Sequence, residues 1–147
     1  MRYLTVFCIS LFILLGTTLI TKGQDTLELV ATGSKSVPSV STNGTAMLTV
    51  IKTEDSLTVK GTFEELESYY TGGYIQMAEK NKTGNVLYRL SASDLNRRHT
   101  SGRFKAGDNT FHIPESVEQY YRKSMLYINI ATNSNSGGEI RAQIELP

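Results

Sequence analysis

Short apolar runs in which every second residue is polar recur along this chain. They constrain its fold more than any other feature. Leu27, Leu29 and Ala31 alternate with Glu28 and Val30. Ala46, Leu48 and Val50 form one face of the next run, and Met47, Thr49 and Ile51 the other. Leu57, Val59 and Gly61 alternate with Thr58 and Lys60, and further runs occupy 74–78, 86–90, 126–130 and 140–146. Successive side chains of a strand point to opposite sides, so a period of two marks strands with one face buried. Polar or glycine-rich turns separate the runs: Thr53-Glu54-Asp55-Ser56, Thr71-Gly72-Gly73, Lys82-Thr83-Gly84-Asn85, Gly107-Asp108-Asn109 and 133–138. Many short strands at regular spacing predict an all-β antiparallel sandwich or barrel. Pro38, which cannot donate to a ladder, marks an extended or edge segment. One stretch, 114–123, reads as a short helix. Pro114 stands at its first position, acids come early and bases late, and Val117, Tyr120, Tyr121 and Ser124 share a face that predicts packing on the sheet.

Ahead of the alternation lies a segment of different character. Arg2 is followed by an uncharged run over 3–20, then Thr21-Lys22-Gly23, with small residues three and one before a cleavage point after Gly23. This is the pattern of a secretory signal peptide over 1–23. A membrane anchor is the competing reading, but the run only reaches the lower edge of the ~20 residues a span needs. Thr5, Ser10, Gly16, Thr17 and Thr18 also dilute it. The expected product is a single secreted domain, 24–147, with no stable membrane anchor after cleavage. Cleavage removes Cys8, the only cysteine of the 147-residue chain. The domain must then hold together by its core, without disulfides, and it has no cysteine nucleophile or cysteine-ligated metal. Lys and Arg number 15 against 14 acidic residues, a balance that gives no signature of a nucleic-acid partner. Two sequons, Asn43-Gly44-Thr45 and Asn81-Lys82-Thr83, lie in turn-like stretches and are the expected glycosylation sites.

Two stretches are more specific than generic β-sequence. The first is Val37-Pro38-Ser39-Val40-Ser41-Thr42-Asn43-Gly44-Thr45-Ala46, leading into an alternating run. The second is Tyr127-Ile128-Asn129-Ile130-Ala131-Thr132, a polar loop, and Gly138-Glu139-Ile140-Arg141-Ala142-Gln143-Ile144. Together they resemble the chordin-type (CHRD) domain, in order and rough spacing, from about residue 27 to 146. The resemblance implies an extracellular β-sandwich, immunoglobulin-like or superoxide-dismutase-like in its Greek key. It also implies a structural role for Pro38, Asn129, Gly138, Glu139 and Arg141. In chordin, copies of the domain sit in an extracellular antagonist of bone-morphogenetic-type growth factors, and other relatives occur in extracellular matrices. The family's His-X-His strand and its later His-Thr correspond here to Tyr74-Ile75-Gln76 and Ala131-Thr132. A histidine-based metal site of the superoxide dismutase kind is therefore not carried over.

Other candidate residues each have an ordinary reading beside the functional one. His99 and His112 lack the mutual spacing of metal ligands and read as surface or capping histidines. Arg97, Arg98, Arg103 and Lys105, with His99, form the most basic window, with Arg89, Lys80 and Lys82 as residues that could join it across the sheet. They suit a sulfated glycan or acidic matrix protein, or are simply a solvated hairpin. Glu64, Glu65 and Glu67 lack a calcium-loop layout. Glu139 and Arg141, two apart on one strand face, read as a structural ion pair or cross-strand network. Nucleophile-elbow, phosphate-loop and zinc-helix motifs are absent from the sequence. The expected function is that of a secreted, non-catalytic structural or matrix protein with protein or glycan partners and no cofactor. The alternatives are a secreted binder that modulates a growth factor of the bone-morphogenetic type and, last, a redox metalloprotein.

Overall fold

The computed structural model describes residues 23–147. The signal-peptide segment, apart from Gly23, lies outside the described residues. The chain forms β1 (Asp25–Thr32), β2 (Thr45–Lys52), β3 (Ser56–Glu64), β4 (Tyr70–Met77), β5 (Asn85–Leu90), β6 (Ala92–Ser93), β7 (Gly102–Phe104) and β8 (Thr110–His112). Then come α1 (Glu115–Arg122), β9 (Leu126–Thr132) and β10 (Ile140–Ile144). All the strand pairings are antiparallel, in the order β5-β4-β9-β10-β1-β2-β3-β7-β6, with β8 added beside β3.

The alternation sets the register. Leu29 lies opposite Leu48, and Val50 opposite Val59, so the apolar positions of β1, β2 and β3 fall on one face. The opposite face stays largely in water, where Met47 is 70% exposed. β9 differs: all seven of its residues are buried, because one face meets the core and loops cover the other. The two ends of the strand path come back together. Tyr70 of β4 stacks on Phe63 of β3 at 5.0 Å between ring centres, and Phe104 of β7 packs on both. Tyr88 of β5 stacks on Phe111 of β8 at 4.8 Å and donates its hydroxyl to the carbonyl of His112. The hydrogen-bonded sheet thus curls nearly into a barrel around a single apolar core.

The class read from the alternation, all-β and antiparallel with one short helix, is the class found. Four details differ. Thr71-Gly72-Gly73, read as a turn, lies inside β4, where Gly72 and Gly73 pair with β9. The helix starts at Glu115, with Pro114 as its N-cap rather than its first helical residue. Its buried contacts come from Val117 and Tyr121, and Tyr120 is only partly covered. The segment between β5 and α1 also holds three short strands, β6, β7 and β8, that are too brief for a period to be read. Pro38 sits outside any strand, exposed in the link from β1 to β2, with a cis peptide bond to Val37.

Candidate functional site

Glu139, which immediately precedes β10, is fully buried. Its Oε1 accepts hydrogen bonds from Thr42 Oγ1 at 2.6 Å and from the Glu67 amide at 2.8 Å, and its Oε2 accepts from Thr132 Oγ1 at 2.8 Å. Ser36 Oγ donates to the Glu139 carbonyl at 2.9 Å. One carboxylate thus ties the segment before β2, the loop before β4 and the end of β9 together. The first and last of these belong to the two motif stretches that stand far apart in the sequence. Gly44 fits here because a Cβ on it would lie 2.7 Å from Glu139 Oε1. Gly138 is required more strictly: its φ is +126°, and a Cβ would fall 1.9 Å from Asn129 Oδ1.

Arg141 does not pair with Glu139. Its side chain lies over the Tyr127 ring, 3.6 Å from the centre, beneath the loop that joins β4 to β5. Nη1 donates to the Lys82 carbonyl at 2.7 Å, and Nη2 donates to the Glu79 carbonyl at 3.3 Å and to Gln143 Oε1 at 2.8 Å. Gln143 Nε2 donates to the Ala78 and Ser124 carbonyls. Asn129 Nδ2 donates to Gln76 Oε1 and the Gly137 carbonyl. Gln76 in turn donates to the Gly84 carbonyl, and the Gly84 amide donates to the Tyr127 hydroxyl. Of the two readings, the direct ion pair is not formed and the network is found, as two separate polar clusters whose partners come from the covering loops. Burial pushes the Arg141 guanidinium below its usual pKa, opposed by its interaction with Tyr127.

The basic window divides. Arg97 and Arg98 are exposed on the hairpin between β6 and β7. Arg103 and Lys105 both pair with Asp94, at 3.4 and 3.3 Å, which neutralises part of that end. Lys80 and Lys82 do not join them. They flank the loop over Arg141, paired with Glu145 and Glu79 respectively. Arg89 on β5 donates to the Thr71 carbonyl and lies over the Tyr74 ring. Asn43 and Asn81 are both exposed, Asn81 in a turn with φ +63°.

Tyr74 and Gln76 pair in register with Asn129 and Tyr127 on β9, and Ala131 pairs with Gly72. Where the resemblance would set histidines, Gln76 is hydrogen-bonded to Asn129 and Tyr74 lies against Arg89. His99 and His112 are exposed on separate elements. Among the described residues, no group of three or more His, Cys, Asp or Glu side chains is placed to hold a metal ion.

A further polar cluster went unread in the sequence. Lys52, at the end of β2, is 5% exposed and forms an ion pair with Glu118 of α1 at 2.8 Å. Arg122 reaches the same carboxylate at 3.0 Å. Burial disfavours ionisation of Glu118, but the bonds from Lys52 and Arg122 outweigh it and hold its carboxyl below the usual value. Tyr121 beside them keeps a buried hydroxyl with no hydrogen-bond partner, and burial, reinforced by the Asp25 and Glu118 charges, pushes its pKa up to about 12. The signal for Lys52 was present: it is in phase with Ala46, Leu48 and Val50, the inward positions of β2. These residues line an open cavity of about 460 Å³ together with Asp25 and Glu54.

No curated protein and no solved structure matches the chain. The family model described as "CHRD domain" matches residues 27–144, which takes in both motif stretches and every strand from β2 to β10. With that match across nearly the whole chain, and with its two motifs joined at Glu139, this protein belongs to the CHRD domain family.

Proposed function

We propose that the chain is a secreted, non-catalytic module that acts in the extracellular space through protein or glycan contacts, as a structural or matrix component. The observation that carries this reading is the CHRD match over 27–144, since CHRD domains occur in extracellular proteins. The side chains of Asn129, Glu139 and Arg141 are turned to neighbouring loops. The exposed cations Arg97 and Arg98 and the exposed sequon residues Asn43 and Asn81 remain at the surface for partners and glycans. In this reading the domain is 24–147, released by cleavage after Gly23. Its curled sheet is a sandwich with β5-β4-β9-β10 as one layer and β1-β2-β3-β7-β6 as the other. The lone register pair of β1 with β10, Thr32 with Arg141, supports that division.

The test is fractionation of the native source into soluble secreted material and insoluble matrix, with peptide mass spectrometry of each. Matrix enrichment with Gln24 at the N-terminus supports the proposal. A wholly soluble protein overturns the matrix role and makes capture of a soluble growth-factor partner the next experiment. Intracellular retention of the uncleaved chain overturns secretion itself.

A further inference from the structure

Arg141 is 3% exposed and has no carboxylate partner among the described residues. A guanidinium carries five N–H donors. Three are spent on the Lys82 and Glu79 carbonyls and on Gln143, all of them dipoles rather than charges. Buried charges are ordinarily neutralised by a counter-charge, because leaving water costs them so much. Here the described residues supply no counter-charge.

Arg141 also lines a cavity of about 170 Å³, with Ser34, Lys35, Lys80, Asn81 and Glu145 around it. The one carboxylate in that lining is committed to Lys80 at 2.8 Å. Lys35 donates to the Val30 carbonyl and has no carboxylate partner among the described residues. Three cations therefore face the cavity against one anion that is already paired. The space equals about six waters at about 30 Å³ each, enough for a tetrahedral oxyanion and part of its ester group. Guanidinium forks and ammonium groups are the side chains that bind such oxyanions best.

We infer that this cavity is an oxyanion subsite, formed by Arg141 at its base with Lys35 and Lys80 at its rim, that takes a sulfate or phosphate group. The group comes either as the free ion or as an ester on a sugar. The subsite is separate from the Arg97–Arg98 hairpin, and it stands or falls independently of the extracellular reading, because binding is measured on the purified protein.

The experiment is a titration of the purified, isotope-labelled secreted protein followed by amide and arginine Nε–H NMR. The probes are sodium sulfate, sodium chloride at matched ionic strength, and N-acetylglucosamine 6-sulfate. Saturable shifts confined to residues 34–35, 80–82 and 141–145 are expected with the two sulfate probes and not with chloride. The exposed pair Lys35→Gln/Lys80→Gln leaves the fold in place and is expected to weaken binding by about tenfold or more, since each lost charge-assisted contact is by itself worth about that much. Thr83→Ala abolishes the Asn81 sequon, and is expected to bind at least as well as the parent. A sugar sulfate that binds about tenfold tighter than the free ion assigns the site to a glycan ester, and equal affinities assign it to the free ion. Shifts that never saturate, that chloride reproduces, or that survive the double substitution unchanged overturn the inference.

Discussion

Truncation of Glu139 to alanine is expected to be among the most damaging single substitutions outside the apolar core. The carboxylate is fully buried and receives three hydrogen bonds, from Thr42, Thr132 and the Glu67 amide. Bonds to a charged group are worth about 1.5–3 kcal/mol each, about 4–9 kcal/mol in sum. The desolvation cost of the buried charge, several kcal/mol, is recovered on its removal. Against that, the part-buried Glu67 amide is left without its acceptor. The net expectation is a loss of about 3–5 kcal/mol for Glu139→Ala, a large share of the ~5–15 kcal/mol typical of a whole domain. Glu139→Gln keeps the shape. Its amide oxygen can accept from Thr42 and Glu67, while Thr132 Oγ1 reverses to accept from the new NH₂. Its expected cost is about 1–2 kcal/mol. Urea unfolding followed by far-UV circular dichroism measures both; the chain has no tryptophan to serve as a fluorescence probe. A cost below about 1 kcal/mol for the alanine variant, or equal costs for the two, would refute the assignment of Glu139 as the acceptor that joins the two motif stretches.

Gly138→Ala introduces a side chain where φ is +126° and Asn129 Oδ1 stands 1.9 Å from the new Cβ. A loss of about 3 kcal/mol or more in a thermal melt is expected, and a neutral result would show that the turn can relax. Glu118 has a folded-state pKa below its unfolded one. Its ion pair with Lys52 therefore contributes stability above the usual carboxyl range, and that contribution is lost as pH falls through the lowered folded value. Denaturation midpoints taken from neutral pH into the acid range are expected to fall less steeply in Glu118→Gln than in the parent, and identical slopes would remove Glu118 from the account. Tyr121→Phe deletes a buried hydroxyl without a partner, so the variant is expected to match or exceed the parent stability within about 1 kcal/mol. A larger loss would mean that the hydroxyl is hydrogen-bonded in solution.

β1, β2 and β3 were legible because each alternates inward and outward residues, a local property of the sequence, whereas β9 and β10 are buried on both faces and stood out by their motif residues instead. β6, β7 and β8 were not, since two or three residues hold no period. Their place is fixed by what packs on them: Phe104 joins the stack of Phe63 and Tyr70, and Phe111 faces Tyr88 across the closing ends of the sheet. Lys52 is the intermediate case. The period of β2 points it inward, and the helix that crosses its end supplies the Glu118 carboxylate that lets a lysine be tolerated there, beside the Thr53 and Glu54 carbonyls that also accept from it.

Glu139 and Arg141 show where strand spacing stops being informative. Read as two residues apart on one strand, they would share a side of the sheet, and opposite charges on one side suggest a pair, but Glu139 stands in the bend just before β10. The spacing fixes direction but not partners. Glu139 lies where the links before β2 and before β4 come together, and hydroxyl and amide donors reach it first. Arg141 lies one step further along, under the loop between β4 and β5, where carbonyls and the Tyr127 ring receive it. Each charge is therefore satisfied by dipoles from chain that is distant in sequence, and neither neutralises the other. Separating them has a consequence that a salt bridge would not. The carboxylate becomes a closed joint with its oxygens occupied, whereas the guanidinium keeps unspent donors beside a cavity lined by two more cations. The same motif thus supplies the clasp of the fold at one residue and, two residues on, the base of the proposed oxyanion subsite.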